Sequence, residues 1–385
     1  MVDSVRKSVD NQTPPLLGFI INPLAGMGGS VGLKGTDGEA IVNEAMRRGA
    51  RPTAGGRAAK AIARLTASFP QVNVLTAAGP MGEQVVREAG IEPSVLDFPH
   101  AGSSTSADTR RAARSMADQG ANLIFFAGGD GTARDIFSAS GAQVPILGVP
   151  AGVKMHSAVF GTTPANAGNL AALFLSGSPS AHLRDAEVMD LDEDAIRAGT
   201  VSAQLHGYAR SPFERRLVQN AKAGSIPGEN ETLDAVARQV AEGMRDGRVY
   251  IPGPGTTTRR LADALGIPST LLGVDAVLDR QAVGLDVNEQ ALLRIIEGRE
   301  AEIIVSVLGG QGSLFGRGNQ QISAEVIRRV GRDRIKVIST IEKLINLPAG
   351  ALLVDTGDPE IDAMLTGHLP VITGPHRTAL VKVRA

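Results

Sequence analysis

Residues 122–132 read NLIFFAGGDGT, and few chains can fold around such a stretch in more than one way. The apolar run at 123–126, closed by Gly128 and Gly129, fits an interior strand of a parallel sheet, buried on both faces. Helix-forming sequence follows at 133–138, with Thr132 placed as its cap. A strand that passes straight into a helix puts the intervening turn at the carboxyl edge of an open α/β sheet, where such folds bind ligands. Glycines there let backbone amides approach a phosphate with no Cβ in the way. Asp130 is the odd member, because a carboxylate among phosphate-facing amides repels the phosphate it helps to house. It makes sense as the acceptor of a proton or hydrogen bond from a sugar hydroxyl, or as the partner of a metal ion. The competing reading is a tight strand-to-helix turn in which Asp130 merely caps Ala133 and its neighbours.

The rest of the first half alternates in the same way, which predicts a mostly parallel sheet with helices on its faces. Strands are expected at 16–22, 71–76, 94–98, 122–127 and 145–149, and helices at 39–48, 57–68, 81–89 and 105–119. Thr163-Pro164 opens a further helix to about 175, Pro suiting the first turn and Thr the cap. After Gly177 the texture changes. Strands at 186–191 and 200–208 precede a helix at 231–244; strands at 248–251, 270–277 and 302–307 are interleaved with helices at 256–265 and 288–297. The chain ends in strands at 335–340, 351–355 and 369–373. The 385 residues suffice for two cores. The expected fold class is α/β: residues 1–180 form an N-terminal, mostly parallel, nucleotide-type α/β domain carrying GGDGT. Residues 181–385 form a larger β-rich mixed α/β domain that completes a cleft.

Composition removes several functions. Forty acidic and thirty-nine basic side chains leave a net charge of −1, so no bulk field favours nucleic acid or an anionic membrane. Aromatics are 3%, with no Trp and two Tyr, too few for the stacking platforms that bind single strands. The absence of cysteine excludes disulfides and thiolate chemistry. His100, His156, His182, His206, His368 and His376 lack the close pairing of a zinc site. The polar N-terminus has no apolar core of a secretory signal, and no run approaches the roughly 20 apolar residues that span a bilayer. The expectation is a soluble cytoplasmic protein acting on small molecules, with no nucleic-acid partner and no membrane; the sequence leaves homo-oligomerisation open.

Three glycine-rich turns follow predicted strands: Asn22-Pro23-Leu24-Ala25-Gly26-Met27-Gly28-Gly29, then Gly128, Gly129, Asp130, Gly131 and Thr132, then the turn from Gly148 to Gly152. Parallel strands of one sheet place such turns on one edge, so all three are expected to converge on one ligand. Asn22 ends its strand with its amide directed at that cleft, to bind a phosphate or orient Asp130; an Asx-turn before Pro23 explains it equally well. Lys154 follows the third turn and would meet an anion, whereas His156 beside it suits packing or capping better than catalysis. Lys34 makes no P-loop, since Gly follows it. In the second half, residues 253–258 (GPGTTT) resemble an anion nest leading into a helix. Asp275 interrupts an apolar strand, and Gly309, Gly310, Gln311 and Gly312 with Arg317 and Asn319 make a polar glycine-rich loop. Turn chemistry accounts for each of these as well.

Taken together, GFIINPLAGMGG, FFAGGDGTARDI and GVPAGVKMHSAVFGTTP resemble the ATP-NAD kinase family. The likeness is closer to its bacterial and archaeal branch, which includes proteins labelled acetoin-catabolism protein X, than to the housekeeping NAD kinases. It continues through YIPGPGTTTRRLADALG, LGGQGSLFGRGNQQIS and VDTGDPEIDAMLTG, and so covers most of the chain. GGDGT alone is shared with diacylglycerol and sphingosine kinases. The resemblance implies an ATP-dependent kinase, NAD kinase-like, with Asp130 as the functional aspartate and the surrounding glycines and Thr132 as the phosphate-binding turn. It implies ATP, or inorganic polyphosphate, as donor, Mg²⁺ as the accompanying ion, and the 2′-hydroxyl of NAD as acceptor, giving NADP. After Pro150 the sequence departs from the housekeeping pattern: Asn288-Glu289 supplies the letters of their Asn-Glu motif but starts a helix in another region. A kinase for another small or lipid-like alcohol, and a nucleotide-binding regulator without turnover, are the alternative readings.

Overall fold

The computed structural model describes residues 14–33, 39–97, 104–152, 155–191, 203–214, 216–218, 229–307, 312–347 and 350–385. The first sheet is built from β1 (Leu16–Ile21), β2 (Asn73–Thr76), β3 (Ser94–Val95), β4 (Leu123–Gly128) and β5 (Ile146–Pro150). Its strand order is β3-β2-β1-β4-β5 and every pairing is parallel. Chain direction across the sheet reverses between β1 and β4, the switch point at which open α/β folds form a crevice.

Alternation along these strands separates two cores. Leu17, Phe19, Ile21, Leu123 and Phe125 face α2 (Ala54–Ser68) and α6 (Pro164–Leu175), whereas Ile20, Ile124 and Phe126 face α4 (Ser106–Asp118) and α5 (Asp130–Ser140). Among the described residues, α1 (Glu39–Arg47) and α3 (Glu83–Glu88) are the remaining helices of this half. A sheet buried on both faces needs apolar residues at successive positions, which is what 123–127 supply. Thr163 caps its helix as the sequence predicts, accepting from the Asn166 amide at 3.1 Å with Pro164 in the first turn. Thr105 and Asp108 form a reciprocal capping box.

The hairpin β6 (His182–Leu191) and β7 (Ala203–Phe213) packs onto this first unit, with Ala186, Val188 and Ala209 in its core. The second sheet has nine strands in the order β10-β9-β8-β11-β13-β15-β16-β14-β12. These are β8 (Val249–Pro252), β9 (Ala276–Leu278), β10 (Gln281–Gly284), β11 (Ala301–Ser306), β12 (Ser313–Phe315), β13 (Ile335–Ile338), β14 (Leu352–Val354), β15 (Gly367–Gly374) and β16 (Arg377–Arg384). Six helices accompany them among the described residues: α7 (Glu229–Glu242), α8 (Thr256–Leu265), α9 (Glu289–Ile295), α10 (Ala324–Val330), α11 (Ile341–Ile345) and α12 (Pro359–Leu365). Strands β8, β11, β13 and β15 are parallel neighbours, and the remaining pairings mix both directions. The architecture is therefore α/β, a parallel sheet followed by a larger mixed one.

Two local expectations fail for identifiable reasons. Residues 270–275 are not a strand, because Asp275 accepts hydrogen bonds from the Thr270 amide and hydroxyl, each at 2.7 Å, and from the Asp286 amide at 2.9 Å. Those bonds staple a loop, and only Ala276–Leu278 joins the sheet. Helix α5 begins at Asp130, not after Thr132, with Gly129 as its cap residue.

Candidate functional site

The turns after β1, β4 and β5 lie on adjacent strands and touch. The Asn22 amide donates to the Ala127 carbonyl at 2.9 Å, and the Ala151 and Gly152 amides donate to the Gly128 carbonyl at 3.0 and 3.1 Å. Gly26, at φ +75, has no room for a Cβ, which would lie 1.9 Å from the Ala151 carbonyl oxygen. A Cβ on Gly128 would collide with the Thr132 side chain at 2.5 Å. The glycines thus serve first to let the three turns close on one another.

Asp130 sits at their meeting point and is 5% exposed. Its carboxylate does not cap α5. One oxygen accepts the His156 amide at 2.6 Å and the other the Ser157 amide at 3.0 Å, so it anchors the chain that follows the third turn. An ionised carboxylate offers about four acceptor positions, and these two bonds leave capacity on each oxygen. The His156 ring nitrogen Nδ1 lies 3.5 Å from the same carboxylate, too long for a good hydrogen bond. Ser157 is locked in turn by two bonds between its hydroxyl and the Met189 backbone, at 2.9 and 3.0 Å.

Asn22 forms the Asx-turn, and its side-chain NH₂ reaches Thr132 rather than Asp130. Its carbonyl accepts the Leu24 amide at 3.1 Å, an Asx-turn, and its amide donates to the Thr132 hydroxyl at 3.0 Å. Thr132 is thereby a strut between the first two turns. The Gly28 carbonyl accepts the Val31 and Leu33 amides at 3.3 and 2.8 Å, and the Gly29 amide donates to Gly26 at 3.1 Å. Much of the first turn's backbone is therefore engaged in holding its own shape. Gly131 lies in the first turn of α5, the end at which a helix favours negative charge. Lys154, Lys34 and residues 309–311 lie outside the described residues.

The second half contributes charges that sequence reasoning did not connect. Arg57, in the first turn of α2, pairs with Asp355 just beyond β14 and donates through Nε to the Pro150 carbonyl. Arg317 is 4% exposed and donates to the Gly161 carbonyl at 3.4 Å. Burial pushes its guanidinium down to about 9 and Arg57 adds to that push, while Asp355 and Asp130 oppose it. Arg317 of the second half thus lies within electrostatic reach of Arg57, Asp355 and Asp130 together. The pairing of Arg57 with Asp355 spans 298 positions, and no local pattern announces a contact of that separation. Elsewhere, Asn288 caps α9 by accepting the Ala291 amide at 2.9 Å, as its place at a helix start predicts.

Residues 11–178 match the family model for the ATP-NAD kinase N-terminal domain, and residues 245–383 match that for the ATP-NAD kinase C-terminal domain. No curated protein matches the sequence significantly. Among solved structures, two of a "putative diacylglycerol kinase" from Bacillus anthracis str. Sterne align at 17% and 16% identity, with TM-scores of 0.25 and 0.24. Each alignment covers 46% of this chain and 46% of the other. The chain thus spans about half the length of those structures, and overlays this loose carry no argument here.

Proposed function

The chain belongs to the ATP-NAD kinase family, a family of ATP-dependent kinases, and on that premise we propose that it moves a phosphoryl group from ATP to the ribose 2′-hydroxyl of NAD, giving NADP. The observation that carries this reading is the setting of Asp130: a buried carboxylate, fixed by two backbone amides, where three glycine turns of adjacent parallel strands meet.

Phosphoryl transfer passes through a loose transition state, so positioning and charge matter more than covalent catalysis. As the acceptor oxygen bonds to the γ-phosphorus, its proton passes to Asp130, and the bond between phosphorus and the bridging oxygen breaks to release ADP. General-base assistance of this kind contributes about 10²–10⁴ in rate. The amides of Gly129 and Gly131, with Lys154, are assigned to the phosphates, and Gly26, Gly28, Gly29 and Gly152 to shaping the wall beside them. Arg317 supplies positive charge within electrostatic reach of the carboxylate. Mg²⁺ enters as the MgATP complex, since that ion keeps several waters and binds mainly through substrate phosphates with one or two carboxylates. Among the described residues no group of three His, Asp or Glu side chains competes for it.

In this reading residues 1–180 handle the phosphates and residues 181–385 complete the cleft. No helix among the described residues is long and apolar enough to cross a membrane; a cytoplasmic location and soluble nucleotide substrates are part of the proposal. A lipid-like acceptor would call for an apolar channel beside Asp130. An open groove of about 470 Å³, whose lining includes Ile341, Ile345 and Leu380, lies away from the three turns. The test is NADP formation from NAD, with ATP and with polyphosphate as separate donors. Turnover with ATP supports the proposal, and its absence with both donors removes it.

A further inference from the structure

Following β12, the chain passes from Arg317 through Asn319, Gln320 and Gln321 along the seam between the two halves. Asn319 and Gln321 are each 4% exposed. The Asn319 amide nitrogen donates to the Leu314 carbonyl at 2.9 Å, which fixes the other end of that side chain as the carbonyl. That oxygen, Oδ1, and the Oε1 oxygens of Gln320 and Gln321 are buried with no hydrogen-bond partner among the described residues.

All this lies against the first glycine turn. A Cβ on Gly29 would stand 2.9 Å from the Gln320 amide carbon and 3.0 Å from its oxygen. One on Gly32 would stand 3.9 Å from the Gln321 amide nitrogen and 3.6 Å from the Asp286 carbonyl. Arg317, at the head of the same segment, is within electrostatic reach of Asp130. The unpaired oxygens therefore belong to the wall that continues from the Asp130 turn into the second half.

Buried polar groups are nearly always paired, and three unpaired acceptors in three successive residues need an account. Acceptors are satisfied only by donors. A hydroxyl brings one hydrogen, whereas a primary amino group or a carboxamide brings two and suits several carbonyl oxygens at once. A site built to receive such hydrogens rejects analogues that lack them, because its own groups are then left unpaired.

We infer that Asn319, Gln320 and Gln321 form the wall that selects the phosphoryl acceptor, taking hydrogen bonds from an NH₂ group of a nucleotide onto their carbonyl oxygens. The inference rests on the reading of NAD as acceptor. NAD carries two such groups, the adenine amine and the nicotinamide carboxamide.

The experiment measures dinucleotide binding by calorimetry for the wild-type chain, Gln321→Leu and Gln320→Leu. The probes are NAD, its deamino analogue with a carbonyl in place of the adenine amine, and its analogue with a carboxylate in place of the carboxamide. Wild type is expected to bind NAD more tightly than one analogue by at least about tenfold, the loss of one buried hydrogen bond; the weaker analogue identifies the group. The Leu variants are expected to lose that preference and to melt no lower than wild type, since each removes an unpaired buried oxygen. Equal binding of all three dinucleotides by wild type overturns the inference. So do Leu variants that keep the wild-type preference, or that melt lower, which is the mark of a purely structural role. NADP formation without discrimination overturns the inference alone, and discrimination without NADP formation overturns the NAD kinase reading alone. Failure to bind any dinucleotide overturns both.

Discussion

Gly129 and Gly152 meet backbone to backbone: a Cβ built on Gly152 would lie 2.8 Å from the Gly129 Cα, and one built on Gly129 would lie 3.2 Å from the Gly152 Cα. The second and third turns are held together by that approach, so a side chain at either position has to push them apart. Gly152→Ala is expected to destabilise the protein by about 1–3 kcal/mol, the usual range for overpacking, and to weaken ATP binding. Denaturant titration and ATP calorimetry on the same sample check both effects. Gly129→Val is expected to do the same and more severely, and wild-type affinity in a folded Gly129→Val variant would remove the turn from the phosphate site.

Asp130→Asn keeps the size of the side chain and discards its charge and basicity. It also leaves one of the two amides at His156 and Ser157 facing an NH₂ group, which adds a stability loss of about 1–3 kcal/mol. Turnover is expected to fall by about 10²–10⁴, measured at saturating substrates. A folded variant with near wild-type turnover would reduce Asp130 to an anchor for the loop.

Arg57 and Asp355 tie the first turn of α2 to the end of β14, with side chains 16% and 17% exposed. Arg57→Met is expected to destabilise by more than the double variant Arg57→Met, Asp355→Leu, because the single change leaves a largely buried charge without its partner. A coupling of about 1–3 kcal/mol in the double-mutant cycle is the expected outcome. Additive effects would show that the pair does not hold the halves together.

The parts of this molecule legible in its sequence are those written locally. A buried strand that ends in glycine and runs into a helix announces itself at 123–132, and Thr163-Pro164 and Asn288 mark helix starts through the chemistry of a single turn. Convergence of the three turns followed from the rule that parallel strands share a carboxyl edge. Thr132 misled because a threonine near a helix start has two uses, and here its hydroxyl accepts from Asn22 across 110 positions. The run at 270–277 misled because its hydrophobicity is that of a strand, while Asp275 bonds to Thr270 and Asp286 and holds 270–275 as a loop. Strand β16 went unseen because most of its side chains are exposed or only partly buried, which leaves no strong apolar pattern. Arg317 and Gln321 were readable only as loop residues, since their burial comes from packing between elements distant in the chain.

Immediately before β11, an interior strand of the second sheet, Glu300 is hydrogen-bonded by Arg334 and Arg248, which hold its carboxyl down to about 2, below its ordinary value of 4.5. A carboxylate with a depressed folded value contributes stability that is fully present above the unfolded value and lost as pH falls through the folded one. Glu300→Gln is therefore expected to lower stability by a constant margin at neutral pH. That margin should close between pH 4.5 and 2. Denaturation curves across that range check it, and a margin independent of pH would contradict the assignment.

The most direct test of the account is a competition between acceptors. The protein is given ATP labelled at the γ-phosphate together with NAD and vesicles containing diacylglycerol, and the labelled product is isolated and its phosphate located by NMR. The account predicts label on the 2′-oxygen of the NAD ribose, with Asp130→Asn producing little of it. Label on the lipid, or on no acceptor while ATP remains bound, would contradict it.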